Sequence, residues 1–213
     1  MLHRHSAPYL ALVLEGGYEE CSVDGVWRCE PGELVVHPSL HLHINRFSQR
    51  RIRVLNIVLP ARPGGPDLRY GVYRPRGLGS IRSLQNVEGE ALADILTDAE
   101  RSRPVAPSSA ISTMVEQLAS DPPSSIRAAA NHAAKTREHA SRTFRRHFGF
   151  SPSVFRSELR FRRALALLAE STASLASVAL DAGFADQAHF TRDFRSRTGT
   201  SPGSFRRSFR LRR

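Results

Sequence analysis

Five of the nine histidines fall in the first 43 residues: His3, His5, His37, His41 and His43. His3-Arg4-His5 is an H-x-H pair, and His43 ends the run PGELVVHPSLHLH at 31–43. Imidazoles gathered from this group would suit a divalent metal or would line a polar ligand pocket. The four residues after the pair, Ser6, Ala7, Pro8 and Tyr9, carry no carboxylate. The ligand pocket is therefore the favoured expectation, and neither a resident metal nor a cofactor is expected. Cys21 and Cys29 face each other if their hairpin turns through three residues, and lie on opposite faces if it turns through two. Small buried core residues are favoured over a redox pair. No Ser-His-Asp arrangement, phosphate-cradling glycine loop or strong Cys/His metal motif is present, so the sequence does not read as an enzyme.

A second group of candidates lies near the C-terminus, on 174–206. Leu175, Val178, Ala179 and Ala182 recur at helical spacing, Gly183 offers a sharp corner, and Asp186 can cap a following helix. Phe190 and Phe194 lie one turn apart on that helix, which leaves Gln187, Ala188, Thr191, Arg192 and Arg195 facing outward. Such a helix-turn-helix with a polar, basic face is a DNA-reading shape.

The unit occurs twice. A shift of 50 residues aligns 136–156 with 186–206 without a gap and gives nine identical pairs. Among them are His139/His189, Arg142/Arg192, Phe144/Phe194, Arg145/Arg195, Gly149/Gly199, Phe155/Phe205 and Arg156/Arg206. In each copy the glycine ends the reading helix and Ser-Pro opens the next. The paired histidines read as packing or phosphate-contacting residues, since no second ligand type lies near them. From Pro152 the chain runs unbroken to Ala169, a helix of roughly 27 Å that could space two reading helices about one DNA turn apart. The first copy has Ala133, Ala134 and Ala140 where the second has Gly183, Phe184 and Phe190, which predicts a smaller core and looser docking.

The elements that position these residues fall into two halves. The first reads as short strands at 9–14, 18–23, 27–30, 33–36, 52–59 and near 70–73, divided by Gly/Pro turns, a small antiparallel barrel or sandwich. Apolar stripes follow at Ala91, Leu92, Ile95, Leu96 and Ala99, and at Ile111, Met114, Val115 and Leu118. This hairpin either covers the open side of the barrel or presents a ridge to a second subunit. Ser120 to Ser125 has linker composition and marks a boundary. Charge changes there as well. Residues 1–120 hold 13 basic and 13 acidic side chains, while 121–213 hold 18 against 7, so the whole net charge of +11 sits in the second half. That half suits a polyanionic partner. Neither a membrane span nor a secretion signal is expected, which favours the cytoplasm.

Residues 126–207 resemble the AraC/XylS family of bacterial transcription regulators. The pattern A-x-x-x-G-F-x-D-x-x-x-F-x-R-x-F-[KR]-x-x-x-G-x-[ST]-P appears as Ala179, Gly183, Phe184, Asp186, Phe190, Arg192, Phe194, Arg195, Gly199, Ser201 and Pro202. The resemblance implies an α+β protein of two domains. Residues 1–85 would be a cupin-like, effector-sensing antiparallel β-barrel whose motifs hold His3, His5 and His43. Residues 86–120 would be an αα hairpin for dimerisation, and 121–213 an all-α domain with two helix-turn-helix units. It further implies recognition helices at 136–147 and 186–197, reading bases through Arg137, Glu138, Ser141 and Arg142 and through Gln187, Ala188, Thr191 and Arg192. Arg145, Arg195 and Arg206 would be further DNA contacts. The implied partners are double-stranded promoter DNA, a small-molecule effector, a second copy of the chain and, for an activator, RNA polymerase. More residues usually precede the H-x-H, so either strands have been lost or the start lies upstream. The competing reading is a metal-dependent cupin enzyme, its ion on His3, His5 and His43, with an accessory DNA-binding domain.

Overall fold

The computed structural model describes residues 1–48, 51–59, 69–76, 96, 98–120, 125–133 and 136–210. They divide into two compact units, Met1–Ala106 and Pro107–Arg213. The expected Ala91, Leu92 and Ile95 of the first apolar stripe, most of the linker and Ala134 lie outside the described residues. Among the described residues no helix is long and apolar enough to cross a membrane.

Among the described residues the first unit holds eight strands: β1 (Tyr9–Glu15), β2 (Tyr18–Ser22), β3 (Gly25–Cys29), β4 (Leu34–His37), β5 (His43–Phe47), β6 (Arg53–Val58), β7 (Gly71–Arg74) and β8 (Glu100–Arg101). They form two antiparallel sheets, one of five strands in the order β6-β1-β4-β7-β8 and one of three in the order β3-β2-β5. Side chains alternate across a strand, so β1 sends Tyr9, Ala11 and Val13 to one face and Leu10 and Leu12 to the other. The first set joins Val35 and Val72 of its own sheet and Tyr18, Trp27 and Cys29 of the other, which makes the core between the sheets. The second set packs on Leu34, Val36 and Leu59. Burial on both faces is why β1 reads as an unbroken apolar run. Leu96, a described member of the first apolar stripe, packs against Leu10, Val36 and Leu59, as expected of a covering element.

Two strands were not legible. β5 mixes His43, Asn45 and Arg46 with Ile44 and Phe47 and carries no apolar run. β8 is two residues long. The β2–β3 hairpin also corrects one of the two registers left open. Ser22 pairs with Gly25 and Glu20 with Trp27, so the turn holds two residues, not three. Cys21 therefore pairs with Val26 and Cys29 with Tyr18, on opposite faces. Both thiols are free and buried, and burial pushes the Cys21 thiol up to about 11, so they are not a redox pair.

Among its described residues the second unit has seven helices: α1 (Ser109–Ala119), α2 (Ile126–His132), α3 (Arg137–Phe148), α4 (Pro152–Glu170), α5 (Leu175–Asp181), α6 (Gln187–Thr198) and α7 (Pro202–Arg210). Helix α1, expected as half of a hairpin grouped with the barrel, instead packs against α2, α3 and α4. Its Ile111, Met114 and Leu118 are buried, so its stripe is not an exposed ridge. The compact division falls at Ala106/Pro107, which puts α1 in the second unit. Helix α4 has 19 residues and is about 28 Å long. Its Phe155, Glu158, Phe161, Ala164 and Leu168 are buried, and α3, α5 and α7 pack on it.

Candidate nucleic-acid interface and histidine cluster

Each copy of the repeat is a helix pair, α2–α3 and α5–α6. Local sequence sets the ends of the second helix in each. The side chain of Thr136 accepts from the His139 N–H, and that of Asp186 accepts from the His189 N–H at 2.6 Å, so both helices open on a capped turn. Gly149 and Gly199 close them in the left-handed region at φ 80 and 73. The side chains of Ser151 and Ser201 then cap α4 and α7. The reading helices begin and end one residue after the expected bounds.

The two helices expose the same positions. Arg137, Glu138, Arg142 and Arg145 are exposed and Ser141 is half-buried, and Gln187, Ala188, Arg192, Arg195 and Thr191 repeat that order. No hydrogen bond or ion pair among the described residues engages Arg137, Arg142, Arg145, Arg192 or Arg195 through its side chain. Their guanidinium groups face water, ready for phosphate or base contacts. Arg206 differs from the other expected contacts. It is half-buried, and its Nη1 donates to the Ala173 carbonyl at 2.7 Å, so it braces the turn before α5. His189 packs edge-on to Phe184 at 5.3 Å, a packing role as expected, whereas His139 is exposed.

The copies keep one aromatic contact and differ in the rest. Phe144 meets Phe155 edge-on at 5.3 Å, and Phe194 meets Phe205 in the same way at 5.4 Å. The second copy adds Phe184 and Phe190 near the start of α6. The first adds Phe148 and Phe150 at the end of α3. Its core is therefore not smaller in aromatic content, contrary to the expectation from Ala133 and Ala140; the bulk has moved along the helix.

In the first unit the chain before β1 lies beside β5, with the His3 and His43 backbones exchanging hydrogen bonds at 3.0 Å each way. This brings His3, His5 and His43 together as expected, with ring centroids of His3 and His5 at 4.2 and 5.7 Å from His43. The cluster extends beyond the expected three. His37, at the end of β4, stacks on Tyr9 at 4.2 Å and lies 4.5 Å from the His43 ring. His41 stacks on Tyr70 at 4.0 Å.

A carboxylate is also present, from a strand far from the H-x-H. Strand alternation puts Glu20 on the inner face of β2 with Tyr18 and Ser22, and it is fully buried. Its Oε2 lies 3.4 Å from His37 Nε2. Burial alone would raise the Glu20 carboxyl, but the His37, His43 and His41 rings outweigh it and hold the group below the usual carboxylate range. Burial drives His43 down to about 3, so the ring is neutral. Its Nδ1 donates to the His41 carbonyl at 3.3 Å, which leaves Nε2 to accept from the Tyr9 hydroxyl at 3.2 Å. Glu20 was missed because a three-residue turn would have opposed Val23 to Trp27 and turned Glu20 outward.

Residues 129–208 match the family model described as "Helix-turn-helix domain". They are a helix-turn-helix domain of the AraC type, the DNA-binding domain of a class of transcription regulators. No catalytic family is indicated, and no curated protein matches the chain. The chain is similar to the solved DNA-binding domain of AdpA, "the global transcriptional factor", in complex with a target DNA, at 27% identity over 50% of this chain and 97% of that one, with a TM-score of 0.47. It is similar to a transcriptional regulator from Chromobacterium violaceum at 25% identity over 47% and 91% of the two chains, TM-score 0.44. It is also similar to ToxT from Vibrio cholerae at 10% identity over 95% and 90%, TM-score 0.41.

Proposed function

We propose that this chain is a sequence-specific DNA-binding transcription regulator of the cytoplasm, not an enzyme, in which the first unit senses a small molecule or pairs with a second copy. One observation carries the reading. Two capped helices of one AraC-type domain turn the same five positions outward, with arginines at two of those positions in both copies. A single exposed basic helix would suit any polyanion. Two copies joined by a helix of about 28 Å suit successive major grooves of one duplex, which defines a site. The first unit supports an effector role through its buried imidazole-rich interior, a polar cluster inside an otherwise apolar sandwich. Linkage would then act between the units: an effector that binds one state of the chain better shifts its DNA affinity by the same coupling.

The test is selection from random-sequence duplexes with the full chain, followed by titration of the recovered site and of scrambled DNA at several salt concentrations. The recovered site should bind more tightly than the scramble, with both affinities falling steeply as salt rises. No binding at low salt, or equal affinity for both duplexes, refutes the reading.

A further inference from the structure

We propose that Glu20, His37, His41 and His43 form a binding site for a divalent transition-metal ion of the zinc class. The donor atoms of these four side chains lie within 4.8 Å of one another, and all four residues are buried. They come from four places in the first unit: Glu20 from β2, His37 from the end of β4, His41 from the following connection and His43 from the start of β5. An ion there would tie the five-stranded sheet, through His37, to the three-stranded sheet, through Glu20 and His43.

Three features single this set out from a chance gathering of polar groups. First, neither carboxylate oxygen of Glu20 and neither ring nitrogen of His37 makes a well-aligned hydrogen bond among the described residues, although both side chains are buried and the carboxylate lies beside the His37 ring and the Tyr70 hydroxyl. A buried carboxylate without a well-aligned partner is a costly arrangement. A divalent cation between them supplies one. Second, a tetrahedral ion with bonds of about 2.1 Å sets its donors roughly 3.4 Å apart. The Glu20 Oε2 to His37 Nε2 separation is 3.4 Å, so one edge of that tetrahedron is already in place. The remaining separations are at most 4.8 Å, so those donors need to draw in by no more than about 1.4 Å to reach the same spacing. Third, the outer partners that orient metal ligands are present. His41 Nε2 contacts Asp24 Oδ2 at 3.0 Å, a carboxylate–histidine pair, and His43 donates its Nδ1 proton to the His41 carbonyl at 3.3 Å.

Three imidazoles and a carboxylate suit a borderline cation such as Zn2+, Co2+ or Ni2+ better than Mg2+ or Ca2+, which take oxygen ligands. Four protein donors fill a tetrahedral ion and leave it no open position, so the site braces or signals and is not a centre for metal-assisted hydrolysis. His3 and His5 belong to a second, outer set that shares His43, and they are not ligands of this ion.

The test uses the full chain without an affinity tag, stripped of metal and titrated with Co2+. One equivalent should bind with the visible absorption of a four-coordinate site, Zn2+ should displace it, and Zn2+ should raise the melting temperature of the wild type until a chelator reverses the effect. Glu20→Gln and His37→Gln should abolish the absorption, and Asp24→Asn should weaken binding by about 10- to 100-fold. His3→Ala and His5→Ala should leave the spectrum unchanged. Absence of a stoichiometric ion in the wild type overturns the proposal without reference to any variant. So does binding that survives Glu20→Gln and His37→Gln, or that is lost in His5→Ala, which would place the ion in the outer set. None of these readouts involves DNA, so the result stands apart from the regulatory reading.

Discussion

The two helix-turn-helix copies share nine of 21 residues over their aligned stretch, yet they are held in place by different means. In the second copy α6 is tied to α4 by Arg197. Its guanidinium donates twice to Asp193, at 2.7 and 3.0 Å, and also reaches Glu158 at 3.1 Å and Ser157 at 2.6 Å while lying over the Phe161 ring. The repeat puts His147 at the corresponding position of the first copy, where its ring meets Phe148 edge-on. The first copy relies instead on aromatic bulk at the end of α3 and on α1 packed over α2 and α3. The conserved elements are the caps, the closing glycine and the Phe–Phe contact that set the reading helix. What holds that helix to the rest of the domain has diverged.

The largest expected effects test the shared part. Phe144 and Phe194 are equivalent and fully buried. Truncation of either to alanine should destabilise the second unit by about 3–5 kcal/mol, measured by chemical denaturation. A loss confined to one of the two would mean that only that copy depends on the contact. The next test concerns the divergent part. Arg197→Ala takes the 3.1 Å charge partner from the fully buried Glu158, which keeps Arg162 at 3.7 Å, and should remove about 3 kcal/mol. His147→Ala, which removes a half-buried ring packed edge-on to Phe148, should cost well under half as much. Comparable losses in the two variants would show that the Arg197 network does not distinguish the copies.

Smaller effects are expected on binding. Arg142→Ala and Arg192→Ala remove exposed guanidinium groups at one repeat position. Each should lower discrimination between the selected site and scrambled DNA by about 1–3 kcal/mol if its helix reads bases. A variant that weakens both duplexes equally assigns its copy to phosphate contact, so the pair of titrations ranks the copies as readers.

Much of the second unit was legible because its signals are local. Asp186, Gly199 and Ser201-Pro202 act within four residues of their own positions, and the 50-residue shift checks each of them against a second copy. The aromatic compensation by Phe148 and Phe150 was visible in the same alignment, but only when Thr198 and Thr200 are compared with them as well as Phe184 and Phe190 with Ala134 and Ala140. The packing of α1 was not legible, since an apolar stripe states that a face is buried and not against what. In the first unit the strands were legible and the register was not. A hairpin turn of two residues and one of three give opposite faces, and the apolar pattern around Cys21 and Trp27 admits both. That one ambiguity hid Glu20, the carboxylate that completes the histidine cluster.

The smallest expected effect separates the turns of the two copies. Gly183 takes φ +85, while Ala133 at the equivalent position takes φ −76. A Cβ on Gly183 would find only ordinary contact with the Arg160 side chain, at 3.5 Å. The cost of Gly183→Ala is thus the left-handed backbone alone, about 1–2 kcal/mol. The reciprocal Ala133→Gly acts through the unfolded chain, whose added freedom should cost roughly 0.4–1 kcal/mol. Both variants should destabilise, although each makes its copy more like the other. If Ala133→Gly is instead stabilising, the first turn prefers the left-handed form once its Cβ is removed. The two copies would then differ in that turn because of one side chain, not because of the different packing around it.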